Sequence, residues 1–232
     1  MTGGVLPYGP RALLRLQGWL SPSFPNGAYS YSHGLEWAVE AGHIHDRSSL
    51  VDWLEADLCY GSGRNEAIFF SEAYRCVIES DQAKLTRVAE LAAAFRGTSE
   101  FALESSQQAT ACLTTLRQVW PHHVLDLLLE MRCQPVLAVV LGARSASERI
   151  PVRVALPAFL HSYVANLVTA GVRLIPLGQT DGQLAVAVLE DAVMTASAQG
   201  NGTTLDDLGS AGFMVELASM AHEAQYTRLF RS

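Results

Sequence analysis

Apolar residues recur every three or four positions along most of this chain, which is the spacing of one buried face of an α-helix. Pro10 opens the first such segment, in which Leu13, Leu16 and Leu20 form an apolar stripe. Residues 136–141 are rich in valine, but no second strand is available to pair with them, so a buried helix is favoured there as well. The pattern predicts an all-α fold, a single-domain helical bundle formed by residues 1–232.

Capping residues predict where several helices begin, since serine, threonine and aspartate accept hydrogen bonds from the free backbone N–H groups of a first turn. These signals are Asp81 as an N-cap, and Ser49-x-x-Asp52 and Thr180-x-x-Gln183 as capping boxes. Another helix is expected from Thr98 to Val119. Further helices are expected at 66–79, at 124–131 and at 153–170, where Pro157 marks the first turn or a kink. Residues 200–202 are expected to form an exposed loop.

Residues 20–37 form a proline- and glycine-rich elbow that separates the first two helices. Pro22 and Pro25 fix φ and lack N–H donors, while Asn26-Gly27 predicts a tight turn with positive φ at Gly27. A helix is expected to follow at 29–40, ended by Gly42. This elbow would direct Tyr29, hydroxyls and one imidazole toward a common surface.

A second turn, at Pro176 and Gly178, is expected between two later helices. The two ends of the chain are expected to be flexible, as residues 1–10 at the start and as residues 221–232 in a short C-terminal tail.

The composition restricts the class of protein. The formal net charge is −7 at pH 7 and the pI is about 5.5, which argues against a nucleic-acid ligand. Four widely spaced cysteines without a Cys-x-x-Cys pair are typical of a reducing compartment. No signal peptide or 20-residue apolar run is found, so a cytoplasmic protein without a membrane partner is expected.

The motifs of several enzyme classes are absent. The chain's single lysine, Lys84, follows alanine rather than glycine, which excludes a phosphate-binding loop and GTP hydrolysis by this chain alone. Tyr226 stands where the second histidine of a zinc-peptidase motif starting at His222 would be needed. The pairs His43/His45 and His122/His123 have no further ligands nearby, so no metal site is predicted.

Two candidate features remain. His33 and Glu36 lie three residues apart and could form a polar strip beside the elbow, which would bind or pass an ion; a purely structural role, in which His33 bonds a carbonyl, is the alternative. The other feature is the tail, whose aromatic and arginine residues are typical of interface anchors, although packing against its own domain is equally open. Its candidate partner contacts are Tyr226, Arg228, Leu229, Phe230 and Arg231.

Three stretches together resemble the urease accessory protein UreF family. They are Ser-Pro-x-x-Pro-x-Gly-x-Tyr-Ser-x-Ser-x-Gly-Leu-Glu at 21–36, Val-Arg-Leu-Ile-Pro-Leu-Gly-Gln-Thr-Asp-Gly-Gln at 172–183, and His-Glu-Ala-Gln-Tyr-Thr-Arg-Leu-Phe-Arg-Ser at 222–232. They occur in the family's order and reach from near one end of the chain to the other.

The resemblance implies a non-catalytic, all-α and usually dimeric protein that takes part in nickel insertion into urease. It implies binding to a UreD/UreH-like protein, recruitment of a UreG-like GTPase and delivery of nickel to the urease apoprotein by the complex, with no tightly bound cofactor in this chain. Tyr29 and the tail residues become the expected partner contacts. The alternative is a small all-α hydrolase or metal-dependent enzyme that uses His33, Glu36 and Ser30 or Ser32.

Overall fold

The computed structural model describes residues 9–232, which fold into twelve α-helices and two short 3₁₀ helices. The helices are α1 Pro10–Trp19, α2 Leu35–Glu40, α3 Arg47–Tyr60, α4 Ser62–Glu79, α5 Gln82–Ala94, α6 Ser99–Val119, α7 His123–Glu130, α8 Leu137–Ser147, α9 Val152–Leu174, α10 Gln179–Val188, α11 Glu190–Gly202 and α12 Phe213–Glu223. The 3₁₀ helices are Ala28–Ser30 and Leu205–Asp207. The described part of the chain contains no strand, so the all-α prediction is confirmed.

Helix α4 lies at the centre, with α8 packed closely along it and α11 and α5 on other sides. Every residue from Ala138 to Ala146 in α8 is buried. Glycines permit the close approach, because a Cβ atom built on Gly142 would lie 2.3 Å from the carbonyl oxygen of Phe70, and one built on Gly200 would lie 2.5 Å from the Cβ atom of Ala67. The apolar segment at 136–141 is therefore buried helix, as its context predicted.

Helix α9 is long and apolar enough to cross a membrane by length and composition, and half of that apolar stretch is buried inside the fold. It packs against α10, α11 and α4. These contacts are those of a core helix. Pro157 lies inside α9, beyond the first turn that begins at Val152.

The capping predictions are confirmed in part. Asp81 accepts a hydrogen bond from the backbone N–H of Lys84, as expected of an N-cap. Thr98, expected as the first residue of a helix, is instead the N-cap of α6 and accepts a hydrogen bond from the backbone N–H of Phe101. Both predicted capping boxes are wrong by a few residues, because Asp46 caps α3 with Ser49 at its third position, and Gly178 precedes α10 with Asp181 at the third position. The expected loop at 200–202 is also wrong, since α11 continues to Gly202 and Gly200 packs against α4.

We expect Gly142→Ala to lower the free energy of unfolding by about 1–3 kcal/mol, because the added methyl group has no room between α8 and α4. Gly18 is the matched control, since no atom of the described part of the chain lies within 4 Å of its added Cβ atom. Gly18→Ala should be neutral or stabilise by about 0.5–1 kcal/mol through a higher helix propensity. Urea denaturation of both variants measures the difference, and equal stabilities would contradict this account of the α4–α8 contact.

Candidate functional site

The elbow turns where the sequence predicts it. Gly27 has a φ of 76°, and the Asn26 side chain accepts a hydrogen bond from the backbone N–H of Ala28. Pro22 and Pro25 are both exposed. The short 3₁₀ helix Ala28–Ser30 follows, so the elbow projects the side chain of Tyr29, which is 75% exposed.

The helix predicted for 29–40 begins later, at Leu35. His33 and Gly34 both adopt left-handed conformations, with φ of 56° and 78°, and these interrupt any helix before Leu35. The cause is tertiary, because Gly34 lies against the backbone of α12 and a Cβ atom there would be 3.0 Å from the nitrogen of Ser219. The elbow is therefore packed against the C-terminal helix.

The tail is docked on its own domain, which corrects the expectation that it is frayed and flexible. The backbone N–H groups of Leu229 and Phe230 donate to the carboxylate of Glu36, at 2.6 and 2.8 Å. The N–H of Arg231 donates to the carbonyl of Ser30, and the N–H of Ser32 donates to the carbonyl of Ser232. Glu36 therefore binds the tail backbone. Both of its carboxylate oxygens are used in these hydrogen bonds, so the structure does not support the predicted role of Glu36 in an ion path.

The side chains of the tail divide into anchors and exposed groups. Phe230 is only 4% exposed and packs in the core, which corrects its assignment as a direct partner contact. The guanidinium of Arg228 lies 3.0 Å from the carboxylate of Glu100, so a carboxylate of this chain supplies the counter-ion that a partner was expected to supply. Tyr226 is fully exposed, Leu229 is 58% exposed, and Arg231 is exposed with its guanidinium 6.0 Å from the Tyr31 ring.

His222 joins the tail region to the rest of the fold from α12. Its imidazole is completely buried, with Nδ1 2.9 Å from the carboxylate of Glu100 and Nε2 3.2 Å from that of Glu36. Each ring nitrogen therefore lies within hydrogen-bond distance of a carboxylate, and the imidazole bridges Glu36 and Glu100. Sequence reasoning noted His222 as the start of a failed zinc motif and of the stretch at 222–232, but it gave no role in the site to His222 or to Glu100.

His33 is a second buried imidazole that lies beside a carboxylate. Its Nδ1 lies 3.2 Å from Glu104, its ring stacks on Phe101 at 3.9 Å, and Glu104 also accepts a hydrogen bond from the hydroxyl of Ser232. Burial lowers the pKa of His33, but the neighbouring charge and hydrogen bond of Glu104 outweigh it and raise the pKa above 6.5. Within residues 9–232, His33 Nε2 has no hydrogen-bond partner. Two cavities of about 140 and 270 Å³ both reach this residue.

The stretch at 172–183 contacts both the elbow and the tail through Arg173, at the end of α9. Its guanidinium donates to the carbonyl oxygen of Tyr29 at 2.9 Å and lies 4.3 Å from the centre of the Phe230 ring. The turn at Pro176 and Gly178 then leads into α10, and Gly178 donates its N–H to Asp181. The elbow, the end of α9 and the tail, which are far apart in sequence, therefore form one site.

Within residues 9–232, neither Ser30 nor Ser32 is hydrogen-bonded to His33, so the enzyme alternative lacks a serine–histidine pair. His33 contacts Glu104, while the hydroxyl of Ser32 donates to the backbone carbonyl of Ser232, and Glu36 is bonded to the tail. Among the residues that the structure describes, no three His, Cys, Asp or Glu side chains come together in an arrangement that could hold a metal ion.

Comparison with known proteins identifies the family. The chain is 49% identical over 223 residues to the urease accessory protein UreF of Rhodopseudomonas palustris strain BisB5, which covers 95% of this chain and 91% of that protein. It is 46% identical over 222 residues to the UreF of Bradyrhizobium diazoefficiens, covering 95% and 92% of the two chains. The UreF family model matches residues 44–190. The chain belongs to the UreF family.

As a UreF-family member, the protein is a urease accessory protein and not an enzyme. The resemblance seen in three short stretches is confirmed, because the similarity to UreF proteins extends over nearly the whole chain.

A docked tail predicts opposite results for two adjacent residues. Phe230→Ala should lower the free energy of unfolding by about 3 kcal/mol, since it empties a buried ring position. Leu229→Ala, at a mostly exposed side chain, should change it by less than about 1 kcal/mol. Thermal and urea unfolding of the two variants test this, and a stable Phe230→Ala protein would mean that the tail does not pack as described.

The pKa of His33 predicts a pH dependence of stability. Because the folded-state pKa is raised, the contribution of His33 is fully present below about pH 6.5 and is lost as pH rises through the folded pKa. The free energy of unfolding should therefore differ more between wild type and His33→Gln at pH 6 than at pH 9. His45→Gln, at an exposed imidazole, is the control and should have little effect at either pH. An equal effect of His33→Gln at both pH values would exclude a stabilising His33–Glu104 ion pair.

Proposed function

We propose that this UreF-family chain is a non-catalytic scaffold of urease maturation, which binds a UreD/UreH-like protein, recruits a UreG-like GTPase with it and helps deliver nickel to apo-urease. The observation that carries this proposal is the fixed tail with outward side chains. Tyr226 and Leu229 are exposed apolar groups, although the backbone at Leu229 is held by a buried carboxylate. Exposed anchors on an ordered backbone are what a docking surface requires.

The docked tail also lowers the entropic cost of binding. Ordering a free backbone costs about 1–2 kcal/mol per residue, and here that cost is already met within the folded chain. A partner that contacts Tyr226 and Leu229 would thus meet a preformed surface. Tyr29 extends this surface on the elbow side, since Ser30 and Arg231 are joined by a backbone hydrogen bond.

Helix α12 continues the apolar surface from the tail toward its own N-terminus. Phe213, Leu217 and Met220 are exposed at spacings of four and three residues, so they line one side of the helix. The opposite side carries buried residues, including Ser219 and His222. A helix with apolar residues on its solvent side is a feature of protein interaction sites.

Nickel is assigned in this proposal to the complex, with no tightly bound cofactor in this chain. The ion path, previously expected at both His33 and Glu36, is proposed to pass His33 alone. His33 reaches two cavities, and its Nε2 has no hydrogen-bond partner among the residues that the structure describes, whereas Glu36 is bonded to the tail and to His222. His33→Ala should then slow nickel activation of urease while the accessory complex still assembles; normal activation by this variant would refute the path.

Two further expectations remain proposals. A homodimer is expected, and multi-angle light scattering of the purified chain would detect a mass near twice 25.1 kDa. A cytoplasmic location is supported by the four free cysteines, Cys59, Cys76, Cys112 and Cys133, which suit a reducing compartment. Subcellular fractionation would test that location.

The docking surface predicts a binding defect without loss of folding. The double change Tyr226→Ala and Leu229→Ala should raise the dissociation constant for the UreD/UreH-like partner by at least about tenfold, because two apolar anchors are removed. The free energy of unfolding should change by less than about 1 kcal/mol. Titration calorimetry and urea unfolding measure the two effects.

Leu129→Ala provides the matched control, since Leu129 is also exposed. It lies in α7 beside Arg117, at the C-terminal end of α6, whereas the tail contacts Glu100 and Glu104 at the N-terminal end of α6. That variant should bind the partner like wild type. Wild-type affinity in the double variant would place the partner elsewhere on the chain.

A further inference from the structure

Arg173 contacts the elbow and the tail with one side chain. The edge of its guanidinium donates a hydrogen bond to the carbonyl oxygen of Tyr29, at 2.9 Å. Its Cζ atom lies over the ring of Phe230, 4.3 Å from the ring centre. A planar guanidinium can make both contacts together, because its donors lie in the plane and its faces stack on aromatic rings.

We propose that Arg173 is a positioning residue that holds the tail against the elbow, so that Tyr29 and Leu229 are presented as one surface. The inference rests on the proposed function in one respect, namely that these two side chains contact a partner protein. The holding role itself is a property of the isolated chain and can be measured on it alone.

The placement of Arg173 suits this role. It lies in the last turn of α9, a 23-residue helix packed in the core, so its backbone is a fixed point for both segments. The elbow and tail also meet through the hydrogen bonds of Arg231 with Ser30 and of Ser232 with Ser32. Arg173 adds the side-chain contact that ties the buried Phe230 ring to the residue whose side chain is exposed on the elbow, Tyr29.

A simpler role for Arg173 is a favourable charge at the C-terminal end of α9. Lysine separates the two roles, since it keeps the positive charge but lacks the planar face and the forked donors. If Arg173 acts only through its charge, Arg173→Lys should behave like wild type in every measurement. If it positions the tail, Arg173→Lys should keep the folding stability and still loosen the tail.

Hydrogen–deuterium exchange of the full-length chain tests the holding role. The amides of Leu229, Phe230 and Arg231 are hydrogen-bonded in the docked tail, so their exchange reports undocking. We expect exchange in the 226–232 peptide to be about tenfold faster in Arg173→Gln, as the loss of one charge-assisted contact implies, and several-fold faster in Arg173→Lys. Arg117→Gln, which breaks an exposed ion pair with Asp126, should leave it unchanged.

Calorimetric titration with the UreD/UreH-like partner tests the consequence. Arg173→Gln should bind about five- to tenfold more weakly. Its effect should be smaller when Tyr29 is already alanine, because both changes then act on the same surface. Unchanged tail exchange in Arg173→Gln, or wild-type affinity despite faster exchange, would overturn the inference. A wild-type chain that fails to bind the partner would instead refute the proposed function, and the exchange measurement would then decide the holding role alone.

Discussion

A buried carboxylate must be surrounded by donors, and the carboxylate of Glu36 imposes this constraint on the rest of the site. Its partners are the backbone N–H groups of Leu229 and Phe230 and the imidazole of His222, which lie 186 to 194 residues later in the chain. Because an unpaired buried charge is costly, the tail cannot leave without exposing Glu36 to water or neutralising it. The position of the tail is therefore determined by a residue of the second helix.

The same constraint explains why the site contains so many paired polar groups. Glu100 is shared by His222 and Arg228, and Glu104 is shared by His33 and the hydroxyl of Ser232. Glu100 and Glu104 both lie on α6, so their contacts fix α12, the elbow and the tail to one helix. These links, together with Arg173, bring the elbow, the end of α9 and the tail to one place.

Much of this fold could be predicted from local sequence, because helix periodicity, N-caps and the Asn26-Gly27 turn depend on neighbouring residues. The predictions were wrong where two neighbouring residues gave the same capping signal, or where tertiary contacts determined the start of a helix or the position of the tail. Asp46 and Ser49 are both good caps three residues apart, and the first of them begins α3. The start of α2 depends on contact between Gly34 and α12, and the docking of the tail depends on Glu36, nearly 200 residues earlier in the chain. Sequence spacing contains no information about either contact.

The buried cluster of Glu36, Glu100 and His222 contributes more to the position of the tail than to the stability of the fold. Replacing buried ion pairs by apolar side chains of similar volume is often neutral or stabilising, so burial of Glu36, Glu100 and His222 is poorly explained as a means of holding the fold together. Directional hydrogen bonds, by contrast, define one register of the tail, and an apolar contact such as that of Phe230 does not. In the scaffold role proposed above, one defined register has a direct use. It places the outward side chains of Tyr226 and Leu229 on a fixed backbone, where a partner can bind them.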